Sequence, residues 1–243
     1  MDEAVSEEND IRRPSSEQVA IKRKLNDMSR QDQSRFFDLH QRATIAAAMA
    51  RIIPTDDVPG ASEAGCVDFI DLYLSGIDHI YAKPDGSGFE TLSGVTAESW
   101  IRRIGILRQK YIEGIGVLDA EARTRFDAAF FQLDAGQQDE ILTALEHSGS
   151  QSASAGGPPG EGPALQQTLT ETDLEFLPLL IMHTRQGFYC DPIYGGNKNR
   201  VGWDAIGFPG PTSLMEVFTG RFTALPWFAE GEEEKYREAN RGA

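Results

Sequence analysis

The chain has 243 residues, 40% of them hydrophobic, and a formal charge of −15 with a pI near 4.7. That length can bury a sizeable core in one domain or two. The charge argues against nucleic acid or an anionic lipid surface as partner, since both repel it.

Residues 1–32 are polar and mixed in charge, with too little apolar surface to offset the entropy of ordering, so they are expected to be disordered. Arg12-Arg13 is followed by Pro14 and then charged residues, with no apolar stretch before Phe36 of the kind a cleavable export signal needs. The expectation is a cytoplasmic chain, exported only if a partner carries the signal. No run approaches the roughly 18–20 apolar residues of a membrane span.

From Ser34 the spacing of Phe36, Leu39, Ala43, Ala46, Ala47, Ala50 and Ile53 predicts an inward helix face that ends at Pro54. Asp56-Asp57 in the next loop reads as turn chemistry rather than a metal site, because no His or third acid stands near. A second helix is predicted over 65–81, with Val67, Ile70, Leu74, Ile77 and Tyr81 inward. His79 near its end reads as a surface or dipole-capping residue.

Three more helices are predicted, over 96–112, 119–132 and 135–147, with Asp119 as an N-cap. The first interleaves Trp100, Ile104 and Leu107 with Arg102, Arg103 and Arg108, either a solvated basic face or a docking surface for an acidic partner. Residues 148–163 are a low-complexity insertion. Thr170-Glu171-Thr172-Asp173 matches a capping box opening a helix to about Gln186, which Pro178 should kink or restart. His183 on that helix reads as a hydrogen-bonded packing residue.

The run from Gln186 to Pro211 then loses all periodicity, holding six glycines, three prolines and five aromatics in 26 residues. Phe188, Tyr189, Tyr194, Trp203 and Phe208 carry too much apolar surface to stay wet, so this is a shaped piece packed under its own chain or against another. A short helix is predicted around Leu214, Val217 and Phe218. An aromatic tail with Trp227 and Phe228 follows, then an acidic tail over 230–243. Cys66 and Cys190 are far apart with no Cys/His cluster and read as reduced, packed thiols, with a disulfide as the alternative. The fold class is mostly α: an irregular helical bundle over 33–229 with a long Gly/Pro/aromatic loop near the C-terminus.

Two separated patterns carry a family resemblance. The first is Arg51-Ile52-Ile53-Pro54-Thr55-Asp56-Asp57, Pro59-Gly60-Ala61, Glu63-Ala64-Gly65 and Asp68-Phe69-Ile70-Asp71. The second is Gly187-Phe188, Asp191-Pro192, Tyr194-Gly195-Gly196-Asn197, Gly202-Trp203 and Ile206-Gly207-Phe208-Pro209-Gly210. Together they resemble the gluconate 2-dehydrogenase subunit 3 family. That resemblance implies a small non-catalytic subunit bound to a large FAD-dependent dehydrogenase of the glucose–methanol–choline type, acting on sugars, sugar acids or glycosides. It implies no cofactor in this chain, FAD in the partner, and an electron-transfer cytochrome reached through that partner as a further candidate.

The residues expected at the partner interface are Phe188, Asp191, Pro192, Tyr194, Gly195, Gly196, Asn197, Trp203, Phe208, Pro209, Trp227 and Phe228. The chain shows no G-x-G-x-x-G, Walker A, H-E-x-x-H or haem-attachment motif. Two alternatives stay open: a carbohydrate-acting enzyme using Asp191 and Asp204, and a binding protein that stacks sugars on Trp203 or Tyr194.

Overall fold

The computed structural model describes residues 35–153 and 170–224. The polar segment 1–32, the later part of the insertion, Trp227, Phe228 and the acidic tail lie outside them. Among the described residues there are eight α-helices, five 3-10 turns and no strand beyond one Ala82–Phe89 bridge. The irregular helical bundle expected from the sequence is what forms.

Asp38 starts α1 (Leu39–Ile52) with a reciprocal capping box: Gln41 N–H donates to its carboxylate at 2.8 Å, and its own N–H donates to the Gln41 side chain. The buried face is Thr44, Ile45, Ala48 and Met49, not the predicted Leu39-Ala43-Ala46 stripe, and Leu39 is exposed. Alanine stands on every side of this helix, so periodicity could not choose a face. The choice is made by Arg42, which pairs with Asp68 and Asp71 on a neighbouring helix.

The predicted helix over 65–81 is divided. α2 (Ala61–Ala64) turns through Gly65 at φ 68° into α3 (Cys66–Ser75), and a 3-10 turn (Ile77–His79) follows. Ile70 and Leu74 are inward as expected. Buried Asp71 sits beside them and accepts from the Phe36 and Phe37 amides and from Arg42, which is what makes its burial tolerable.

The two predicted helices over 96–112 and 119–132 are one continuous α4 (Gly94–Phe126). Gly114 and Gly116 read as a break, yet Gly114 is there for packing: a Cβ would lie 2.2 Å from the ring of Phe176. Asp119 is therefore a mid-helix residue and not a cap. Its buried carboxylate takes the His40 ring at 2.5 Å and the Phe130 amide at 3.2 Å, tying α1 and the Phe130–Gln132 turn to α4.

Asp134 caps α5 (Ala135–Ala153), which runs past the predicted end at His147. Arg51 of α1 grips Asp139 of α5 with two bonds of 2.8 Å. The Thr170–Asp173 capping box is present but closes a 3-10 turn (Glu171–Asp173), and α6 (Phe176–Tyr189) starts afresh after it. Pro178 falls in the first turn of α6, where its missing N–H has no intrahelical partner to lose, so the helix restarts rather than kinks.

α7 (Val201–Ala205) and α8 (Leu214–Phe218) complete the chain. Ile45, Ile70, Leu107, Tyr111, Leu118, Phe130, Ile141, Leu179 and Leu180 meet in one core. Each such aliphatic or aromatic side chain contributes about 1.5–3 kcal/mol on burial. No helix among the described residues is long and apolar enough to cross a membrane.

Candidate functional site

The Gly/Pro/aromatic run folds as a clasp between α6 and α3. Asn197, buried and left-handed at φ 43°, is its pivot. Its N–H donates to Gly187 O at 2.8 Å, its side-chain amide donates to Cys190 O at 2.9 Å, and its side-chain oxygen accepts from Gly202 N–H at 2.8 Å. Backbones this close leave no space for side chains. A Cβ at Gly196 would stand 2.2 Å from Gly187 O, and one at Gly202 1.9 Å from Phe188 O. Lys198 then reaches across to Asp68 of α3, which already holds Arg42. Burial pushes the Asp68 carboxyl up, but the bonds from Lys198 and Arg42 outweigh it and hold the group below the ordinary aspartate value.

Of the residues expected at an interface, Phe188, Gly196, Asn197 and Trp203 are buried within this chain. Trp203 donates its ring N–H to Tyr189 O at 2.7 Å, with Arg200, Gly210 and Phe208 all against the indole. It has no open platform for a sugar. Asp191 makes the expected turn, accepting from Ile193 N–H at 3.0 Å. Asp204 lies within α7, exposed, and does not cap it. Pro192 is exposed, and Asp191, Tyr194, Gly195, Phe208 and Pro209 are part-exposed.

Beside the clasp lies a cleft of about 530 Å³. Tyr73 from α3, Tyr81 and His79 from the following turn, Trp100 and Arg103 from α4, and Tyr194 from the clasp form its walls. Trp100 is the hub: Tyr73 and Tyr81 meet it edge-on at 6.4 and 5.9 Å, and the Arg103 guanidinium lies 4.9 Å from its ring centre. Tyr194 joins Phe89 edge-to-face and accepts from Ala82 N–H at 3.2 Å. His79 is half-buried against Phe89 rather than on the surface, and burial lowers its pKa against the opposing effect of Asp78.

Below the cleft runs a chain of polar groups that no sequence pattern brought together. Glu171 accepts from Arg103 Nε at 2.6 Å, from Arg103 Nη2, from Tyr73 at 3.1 Å and from the buried His183 ring. His183 Nδ1 stands 2.8 Å from the Tyr111 hydroxyl. Burial pushes the Glu171 carboxyl up, but His183 and Arg103 together hold it below the ordinary glutamate value. Burial, reinforced by the Glu171 charge, raises both tyrosines, so each phenol keeps its proton. One proton arrangement satisfies every member: Tyr111 O–H donates to Nδ1, and Nε2–H donates to the carboxylate. His183 is thus the hydrogen-bonded packing residue expected. The relay ends at Tyr111, which is fully buried, and not in the cleft.

The Arg102–Arg103–Arg108 patch does not survive folding as a docking surface. Arg103 is bound to Glu171. Arg108 caps α3 through Leu74 O and Ser75 O at 2.7 and 2.8 Å and lies 5.2 Å from the ring centre of Phe36. Arg102 alone is exposed. Among the described residues no cluster of three His, Cys, Asp or Glu is placed to hold a metal.

Cys66 and Cys190 are both free thiols, as expected. Burial pushes Cys66 up to about 12 and Cys190 up to about 11, so neither is a thiolate at neutral pH. Iodoacetamide at pH 8 should therefore label the native chain at least a hundredfold more slowly than the same chain in urea, at both positions; fast native labelling at Cys190 would refute this.

A family model described as gluconate 2-dehydrogenase subunit 3 matches residues 39–210. Comparison with curated proteins and with solved structures finds no match.

Proposed function

This chain belongs to the gluconate 2-dehydrogenase subunit 3 family, a family of subunits of a dehydrogenase complex, and from that premise we propose that it is the non-catalytic small subunit that binds and stabilises a large FAD-dependent dehydrogenase. The partner is of the glucose–methanol–choline type, its substrates are sugars, sugar acids or glycosides, and the flavin belongs to it. A cytochrome that takes its electrons is reached through that subunit. The complex works in the cytoplasm unless the partner brings an export signal.

The observation that carries the reading is how the family's own pattern residues are used. Gly187, Gly196, Asn197, Gly202 and Trp203 are engaged in holding α6, α7 and the clasp together. Arg51 and Asp68 join helices in the same way. Groups engaged in this manner build a shape to be recognised, while turnover would need an acid or base presented to a substrate.

The test is co-expression of the full-length protein with the G-x-G-x-x-G dehydrogenase chain encoded beside it. A co-purifying complex with a flavin absorbance spectrum is expected. Sugar oxidation by the purified chain alone, abolished by Asp191→Ala, would instead install the enzyme reading.

A further inference from the structure

α4 carries an eleven-residue repeat on its outward side. Ile101-Arg102-Arg103-Ile104-Gly105-Ile106 recurs as Ile112-Glu113-Gly114-Ile115-Gly116-Val117. The copies share their inward residue, Ile104 and Ile115, both buried. They also share their outward ones: Ile101, Ile106, Ile112 and Val117 are each 44–57% exposed, far more than β-branched aliphatics need be in a chain with a core available. Eleven residues are three turns, so the second copy lies about 16.5 Å along the helix and only about 20° around it. Ile101 and Ile112 make one ridge, Ile106 and Val117 a second, with Gly105 and Gly116 between them.

Those two glycines have no reason inside the chain. Gly114 is required by the Phe176 ring, but a Cβ at Gly105 or Gly116 would meet nothing within 4 Å. Glycine is the poorest helix former after proline, and both positions lie deep inside a 33-residue helix. What they provide is a furrow floored by backbone, wide enough for another element to approach closely. An apolar pattern repeating every eleven residues is one that keeps facing a second helix along its length, with a slight right-handed coil.

We infer that this face of α4 is the seat of an amphipathic helix from the dehydrogenase subunit, packed lengthwise into the furrow. The inference rests on the subunit reading and adds to it the surface by which the subunit is held. A second copy of this chain is a poor occupant, because pairing would bring two charges of −15 together. A partner helix with basic residues flanking its apolar stripe fits that charge. Exposed apolar side chains of α8, Val217 and Phe218, are the competing surface.

The test uses the co-expressed pair above and the double substitution Gly105→Leu with Gly116→Leu. Space is open at both positions and leucine favours helix, so the isolated chain should melt at the same temperature or higher. Its affinity for the dehydrogenase chain should nevertheless fall at least a hundredfold. Ile101→Asp with Ile112→Asp gives the same loss by charge instead of bulk, should the leucines disturb the fold.

A wild-type complex that survives both double variants overturns the docking face and leaves the subunit reading standing. So does a complex lost only with Phe218→Asp. A concentration-dependent dimer of the isolated chain, dispersed by Ile112→Asp, assigns the face to a second copy and also overturns it. No complex from the wild-type pair removes the subunit reading, and the docking face with it.

Discussion

Glu171→Ala is expected to destabilise the chain by about 3 kcal/mol, the low end of the range of roughly 3–5 kcal/mol for breaking a buried ion pair. The size follows from what each abandoned partner can do next. Arg103 is 39% exposed and can turn to water. His183 is fully buried between Tyr111 and the vacated carboxylate, and its Nε2–H has nowhere to go. Glu171→Gln keeps the volume but offers less acceptor capacity, so an intermediate loss is expected.

The pH dependence has a definite sign. The folded-state pKa of Glu171 lies below its ordinary value, so its stabilisation is fully present above the unfolded glutamate value of about 4.3 and is lost as pH falls through the folded one. Urea denaturation of the wild type and of Glu171→Ala at pH 7 and at pH 3 should show a gap that narrows on acidification. A gap that stays constant or widens would reject the ionic account of the relay.

Gly202→Ala should cost as much or more, about 3 kcal/mol, at the upper end of ordinary overpacking. Its Cβ would press on the Phe188 carbonyl at 1.9 Å, and that obstacle is backbone inside a helix, so no side-chain rotation relieves it. The clasp would have to lift from α6, taking the Gly202 N–H away from Asn197 and the Trp203 ring N–H away from Tyr189 O. Hydrogen exchange over 187–203 should accelerate before the rest of the chain melts.

Gly105→Ala is the control, an open helical position where the same methyl group should stabilise by up to about 1 kcal/mol. If Gly202→Ala loses less than 1 kcal/mol, the close backbone approach is not what shapes the loop.

Much of the local structure was legible beforehand. Capping boxes at Thr170 and turns at Asp56 and Asp191 are chemistry between residues two or three apart, and each is found. Ile70, Leu74, Ile104 and Leu107 could be placed inward from spacing alone. The candidate site was far less legible. Arg103 and Glu171 are 68 positions apart, Tyr111 and His183 are 72 apart, and nothing about one member of either pair predicts its partner. The errors have the same origin. Gly114 looked like a helix break because the Phe176 ring that demands it is invisible in the neighbouring residues. Arg103 and Arg108 looked like a free basic patch because their acceptors come from other helices.

Helix formation, turn placement and family membership follow from short-range propensity and from fixed residue patterns, and these the amino-acid order determined unaided. Which face of α1 turns inward, the continuity of α4, the buried relay and the cleft above it were decided only by the packed chain. Their energies come from groups brought together across long loops, and such groups have no neighbours until the fold supplies them.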